Sequence, residues 1–212
     1  NTTMSGRLKD KVAIVTGSAS GFGRGIARKF VDEGADVIIV DLAKESGEKA
    51  AADLGCRFIY ADVTKRESWS TLLSQTLEFY GKLDIVVNNA GATYRNKPTA
   101  EVTDDDFELC MNVNVKSIYL SSSVIVPYFI ENNRPGCFIQ ISSTAALCPR
   151  PGLTWYNASK AAVSTATKTM AVEYGPKQIR FNCVCPVVGS TGLYVSHLFL
   201  SPFPSIFGHY SY

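Results

Sequence analysis

Val12-Ala-Ile-Val-Thr16-Gly17-Ser-Ala-Ser-Gly21-Phe-Gly23 runs from an unbroken apolar stretch into a glycine-rich turn and then into a helical pattern. A strand with no polar alternation is one covered on both faces, as in a parallel sheet. The glycines follow a G-x-x-x-G-x-G spacing rather than the G-x-G-x-x-G dinucleotide fingerprint. They still let the backbone turn tightly and lie against a pyrophosphate, whose charge would meet the free N–H groups and positive end of the following helix. Gly17, Ser20, Gly21, Phe22 and Gly23 are therefore the expected phosphate cradle.

Outward from that turn, short β-branched runs recur at Val12–Thr16, Asp36–Val40, Arg57–Tyr60, Leu83–Asn88, Gly136–Ser142 and Ile179–Cys185. Between them lie helical spacings near 22–33, 44–54, 67–80, 104–131 and 155–174, with starts at Thr64 and Thr103 that lead into acidic first turns. Strict alternation of strand and helix predicts an α/β fold, a doubly wound parallel sheet in a Rossmann-like three-layer αβα arrangement with right-handed crossovers. Neither a solenoid-length repeat nor a low-complexity linker breaks the pattern.

With 212 residues and Lys plus Arg exceeding Asp plus Glu by only two, the chain reads as one domain with no basic footprint for nucleic acid or membrane. A small-molecule partner fits better. The six cysteines include no C-x-x-C and several sit in apolar runs, so reduced, buried thiols are expected and no metal site. The first residues hold no apolar signal segment, which gives the expectation of a soluble, cytoplasmic protein.

Asp41 closes the second strand twenty residues after Gly21. A carboxylate there can accept from adenosine ribose hydroxyls and would repel a 2′-phosphate. No basic residue stands among Ser18, Ala19 and Ser20, and Leu42 follows Asp41, so NAD is expected ahead of NADP. Tyr156 and Lys160 stand four apart and would project from one helix face. A free phenol ionises near pH ~10; a neighbouring ammonium is expected to lower that value toward useful acid/base exchange.

Residues 8 to about 192 resemble a single-domain short-chain dehydrogenase/reductase. The landmarks are Thr16-Gly17-x-x-x-Gly21-x-Gly23, Asp62-Val63, Asn88-Asn89-Ala90-Gly91, Asn114, Ser143, Tyr156-x-x-x-Lys160 and Ile179-Arg180-x-Asn182, in that order. The resemblance implies hydride transfer between NAD and a secondary alcohol or ketone. Tyr156 would be the acid/base and Ser143, rather than Ser142, the hydrogen bond to the substrate oxygen. Lys160 would bind nicotinamide ribose, and Asn114 would support a proton path to it. Asp62 and Val63 would flank adenine, while Asn89, Ala90 and Gly91 line the cofactor floor. Pro186 and Thr191 would stand by the carboxamide, with Val187 where a glycine is usual. The segment between Ser143 and Tyr156, largely apolar and including Trp155, would shape the substrate pocket. Self-association as a dimer through 104–131 and 155–174 is implied as well.

After Leu193 the family pattern stops. Residues 194–212 hold six aromatics, and no Asp, Glu, Lys or Arg follows Arg180. The expectation is an incomplete catalytic domain over 1–192, lacking the family's final strand and the helices before it, then an atypical uncharged aromatic tail at 193–212 such as a translated intron or shifted frame would encode. Phe199, Phe203 and Phe207 could patch the exposed face. Two readings follow: an NAD-dependent oxidoreductase, or a catalytically poor NAD-binding or interaction protein.

Overall fold

A computed structural model describes residues 6–187; Thr191 and the 193–212 tail lie outside the described residues. The strands are β1 (Val12–Thr16), β2 (Asp36–Asp41), β3 (Arg57–Tyr60), β4 (Ile85–Asn88), β5 (Gly136–Ile141) and β6 (Ile179–Val184). The helices are α1 (Gly21–Asp32), α2 (Lys44–Leu54), α3 (Arg66–Tyr80), α4 (Asp104–Cys110), α5 (Ser117–Glu131) and α6 (Thr154–Tyr174). All six strands are parallel in the order β3-β2-β1-β4-β5-β6, the doubly wound architecture expected from the alternation. The order reverses between β1 and β4, and that break opens a crevice at the strands' carboxyl ends.

Period-two alternation splits the apolar strands between two cores. Ile14, Ile38, Val40, Val86 and Phe138 face one layer with Trp69, Leu72, Ile125 and Phe129 from α3 and α5. Ala13, Val15, Val37, Ile39 and Val87 face the other with Ala27, Ala50 and Ala51 from α1 and α2. The small alanines let those helices approach the sheet closely. Across β5 and β6, Phe138 and Phe181 sit in register and stack with centroids 4.5 Å apart, while Phe129 meets Phe138 edge-on at 6.0 Å.

Two helix starts differ from each other. Thr103 caps α4 with a full capping box, its hydroxyl accepting from Asp106 N while the Asp106 carboxylate accepts from Thr103 N. Thr64, expected to open a helix, instead donates its hydroxyl to Asp62 Oδ1 at 2.7 Å, and α3 begins at Arg66. Tight local pairing with Asp62 outcompetes the cap.

The segment 104–131, expected to be one helix, is divided by a π-helical turn at Met111–Lys116. Its composition and length would suit a membrane span, yet Ile118, Leu120, Ile125, Val126 and Phe129 are buried in the core.

Phe138 has no exposed surface and joins both aromatic contacts. Phe138→Ala is expected to lower unfolding free energy by about 3–5 kcal/mol, read from the denaturant midpoint; a loss under about 1 kcal/mol would contradict this packing.

Candidate active site

The crevice is clamped at its base. The Thr16 hydroxyl, at the end of β1, accepts from Asn89 N and Ala90 N at 3.0 Å each and donates to Val87 O at 3.3 Å. Asn89 Nδ2 returns hydrogen bonds to Thr16 O and Gly17 O at 2.9 and 3.0 Å. Asn89 is thus committed to holding β1 and β4 together. A Cβ at Gly17 (φ +62°) would come within 2.8 Å of Ala90 Cα, and one at Gly23 would overlap the Gly17 carbonyl and Asn89 Nδ2. Only glycine allows this approach.

Beyond the clamp, α1 opens with Ser20 in extended conformation, no side-chain cap and no acidic residue in its first turn. Its leading N–H groups and positive end are thus free of a protein anion. Ser20, Gly21 and Phe22 are exposed there, and Gly23 is buried. Beneath them the Ser18 hydroxyl bridges β1 and β2, donating to Val15 O and accepting from Val40 N. Asp41 ends β2 with one carboxylate oxygen accepting from Ala19 N and the other from Ala43 N, both at 3.0 Å. Asp62 is held by the Thr64 amide and hydroxyl, and Val63 O accepts from the Trp69 indole at 2.9 Å. A dinucleotide fits these residues: a cradle a Cβ would fill, an uncapped helix end, and two carboxylates fixed at the rim.

On the opposite side of the crevice, the π turn carries Asn114, which is 2% exposed. Its side-chain oxygen accepts from Ala92 N at 2.8 Å, and its amide donates to Ala92 O and to Ser159 Oγ at 2.9 Å each. The widened turn locks α4 and α5 to the loop after β4, a frequent use of a π bulge near functional positions. Tyr156 and Lys160 stand one turn apart on α6. Lys160 is 5% exposed, with Nζ donating to Ile141 O at 2.9 Å and lying 5.9 Å from the Tyr156 ring centroid. A Cβ on Gly91 would stand 3.3 Å from both Lys160 Nζ and Asn114 Oδ1, so these three positions converge.

The two serines separate by direction. Ser142 donates to Lys160 O at 2.8 Å and meets Ser164 Oγ at 2.9 Å, which spends it on packing α6 against β5. Ser143 accepts from Ala145 N and lies within hydrogen-bonding reach of the Tyr156 phenol. Behind them Pro186 O accepts from Thr144 N at 3.0 Å, tying the segment after β6 to the site.

Electrostatically, the expected lowering of the Tyr156 pKa is reversed. Burial pushes the phenol above its ordinary value, against the smaller opposing pulls of the Ser143 hydrogen bond and the Arg150 charge. Burial also drops Lys160 to about 8. Desolvation penalises both charged forms, and it outweighs the attraction anticipated between them.

Several contributors carried no sequence signal of their own. Tyr94 is buried with its hydroxyl accepting from Trp155 N at 3.0 Å, and Ser159 completes the Asn114 network. Trp155 packs edge-on against Phe107 with centroids 5.1 Å apart, joining α6 to α4. Among the described residues no group of three or more His, Cys, Asp or Glu is arranged to hold a metal.

The profile of the short chain dehydrogenase family matches residues 11–197. A 4-formylbenzenesulfonate dehydrogenase of Comamonas testosteroni is 39% identical over 208 residues, covering 93% of this chain and 80% of the relative. A 3-oxoacyl-[acyl-carrier-protein] reductase of Thermotoga maritima is 36% identical over 185 residues, covering 85% and 74%. The solved 3-ketoacyl-(acyl-carrier-protein) reductase of Brucella melitensis, complexed with NADH, superposes with a TM-score of 0.87 at 37% identity, covering 90% of this chain and 81% of that one. Sequence profile, relatives and superposition agree with the geometry of the crevice: the chain belongs to the short chain dehydrogenase family of NAD(P)-dependent oxidoreductases.

Proposed function

We propose that the chain interconverts a secondary alcohol and a ketone with NAD, Tyr156 acting as the acid/base. The observation that carries this reading is the convergence of Ser143, Tyr156, Lys160 and Asn114 beside the clamped crevice between β1 and β4. A bound nicotinamide coenzyme supplies the hydride donor or acceptor. In reduction the Tyr156 hydroxyl gives its proton to the carbonyl oxygen as charge develops, and the Ser143 hydroxyl donates a second hydrogen bond to the same oxygen. In oxidation the Tyr156 phenolate takes the alcohol proton. Lys160 would donate to nicotinamide ribose hydroxyls, and Asn114 would support a water-linked proton path to its amine.

Asp41 supports NAD over NADP, because both of its oxygens are already fixed by backbone donors and a 2′-phosphate would meet an unmovable like charge. Pro186, whose carbonyl accepts from Thr144 N next to Ser143, supports placing the carboxamide end beside the segment after β6. The relatives' names span a formylbenzenesulfonate and acyl-carrier-protein substrates, so they support the reaction class and not one substrate.

A second copy of the chain is the proposed partner. The outer faces of α5 and α6 border an apolar groove lined by Val115, Ile118, Val126, Ala162, Ala166 and Met170. Light scattering should report a dimer, and Ala166→Glu a monomer; a monomeric parent chain would end this assignment.

Titration with NADH and NADPH tests the cofactor reading, with NADH bound at least about tenfold more tightly, roughly the 1.4 kcal/mol of one adverse charge contact. Tyr156→Phe should keep NADH binding and lose about 10²–10⁴ in turnover on a ketone panel; undiminished turnover would remove Tyr156 from the chemistry. Because burial holds the phenol proton above its ordinary range, alcohol oxidation should accelerate as pH rises and ketone reduction should slow. A rate of oxidation that falls between pH 7 and 9 contradicts that sign.

Lys160 gives a separate stability test. Its folded pKa of about 8 lies below the ordinary 10.5, so from about pH 8 to 10.5 the unfolded chain holds more protons and stability rises with pH. Below that window the full penalty applies, on the order of 3 kcal/mol. Lys160→Met should therefore stabilise the cofactor-free chain at pH 7 by about 1–3 kcal/mol, with the advantage fading toward pH 10.5, while turnover collapses. Equal destabilisation at both pH values would show that the amine is not strained by burial.

A further inference from the structure

Helix α6 begins without a cap of its own. Leu153 stands at its N-cap and offers no side-chain hydrogen bond, and no acidic residue occupies the first turn. The opening N–H groups of a helix lack intrahelical partners and are commonly met by a Ser, Thr, Asp or Asn side chain at the N-cap. Here Asn157 N donates to Leu153 O at 2.9 Å, which begins the regular helical ladder. The Trp155 amide, two residues earlier, donates instead to the Tyr94 hydroxyl at 3.0 Å, and the Tyr156 amide lies within hydrogen-bonding reach of the same oxygen. Tyr94 belongs to the loop after β4, 61 residues before Trp155.

That loop is also the base of the crevice. Its Asn89 and Ala90 amides are clamped to Thr16, and Ala92 is held at both its N–H and its carbonyl by the Asn114 carboxamide. Past Tyr94 the loop is sewn to the residues that lead into α6. Asn96 Nδ2 donates to Pro151 O at 3.0 Å, Lys97 N donates to Gly152 O at 3.1 Å, and the Thr99 and Thr154 hydroxyls meet at 2.7 Å. Tyr94 itself is 3% exposed. A ring there for packing alone would need no hydroxyl, and burying one costs free energy unless it is hydrogen-bonded. This hydroxyl is spent on the start of α6, so a direct bond runs from the base of the crevice to the residue before Tyr156.

We infer that Tyr94 is a positioning residue, whose hydroxyl takes the place of the missing N-cap of α6 and so aims Tyr156 over the crevice. This rests on the reading of Tyr156 as the acid/base and adds to it the residue through which that phenol is held. Tyr156 is the third residue of α6, within the first turn, where helices fray. Proton exchange with a substrate oxygen needs the phenol placed to within about 0.5 Å of its productive position. A start with unmet amides does not supply that precision. An acceptor fixed in the loop that also carries Asn89 and Ala92 supplies it, and it sets the height of Tyr156 relative to that same loop.

Amide hydrogen exchange and steady-state kinetics on the full chain test this with Tyr94→Phe, which removes one oxygen and keeps the ring. The Trp155 amide should exchange at least about tenfold faster in the variant. The Asn157 amide, bonded to Leu153 O, should keep its protection and so show that α6 still forms. On the ketone panel kcat should fall about tenfold, with KM for the ketone and Kd for NADH within about twofold of the parent chain. Loosened packing would instead weaken binding and protection together. A Trp155 amide that exchanges equally fast in both chains, or a kcat within about twofold of the parent, would overturn the inference. So would a variant that loses Asn157 protection and NADH binding as well, since the hydroxyl would then be a brace for the fold. A parent chain that turns over none of the ketones, or a Tyr156→Phe chain that keeps full turnover, removes the oxidoreductase reading itself and the role of Tyr94 with it.

Discussion

The hydrogen-bond clamp between Thr16 and Asn89 is the constraint on which the rest of this molecule depends. A strand order that progresses outward in opposite directions from β1 and β4 leaves a gap at the switch point, and nothing in the sheet ladder itself fixes the loop after β4 against the turn after β1. One hydroxyl and one carboxamide do so here, through donors and acceptors that are all matched. Gly17 and Gly23 then let the turn after β1 pack directly against Asn89 and Ala90, and Gly91 leaves room for Lys160 and Asn114. The crevice is held in shape by contacts within the protein itself.

Against that stiff base the side carrying Tyr156 and Lys160 is held in tension. Burying an amine with a single carbonyl partner disfavours its charge, and the phenol beside it is pushed toward its neutral form by the same desolvation. Tyr156 is consequently a proton donor at rest. Such an arrangement sacrifices some stability for a site whose polar groups are already stripped of water, as expected where function needs groups the fold would otherwise exclude. The π turn belongs to the same compromise, since it interrupts a long helix to turn Asn114 inward between Ala92 and Ser159.

Much of the fold was legible in the residues. Unbroken apolar runs marked strands covered on both sides, and β1 and β4 are buried along their whole length. Thr103 followed by Asp106 marked a helix start that forms as a capping box. Thr64 looked similar and is not a cap, because Asp62, two residues earlier, captures its hydroxyl. The helix read across 104–131 concealed its π turn, since the partners that hold Asn114 within that turn, Ala92 and Ser159, are remote in the chain. The sign of the Tyr156 shift was misjudged for a related reason: spacing places the ammonium four residues away, but it does not report how much water each group loses.

By itself the sequence determined the alternation of strands and helices and the glycine turn, and it singled out the candidate residues for the proposed chemistry, because those follow from local periodicity and side-chain type. Tertiary structure alone decided which serine faces the phenol, that Asn89 is a clamp, and that Asn114 is locked between Ala92 and Ser159. Each of those depends on atoms brought together from distant parts of the chain and on the desolvation that follows, and neither quantity is encoded in the order of neighbouring residues.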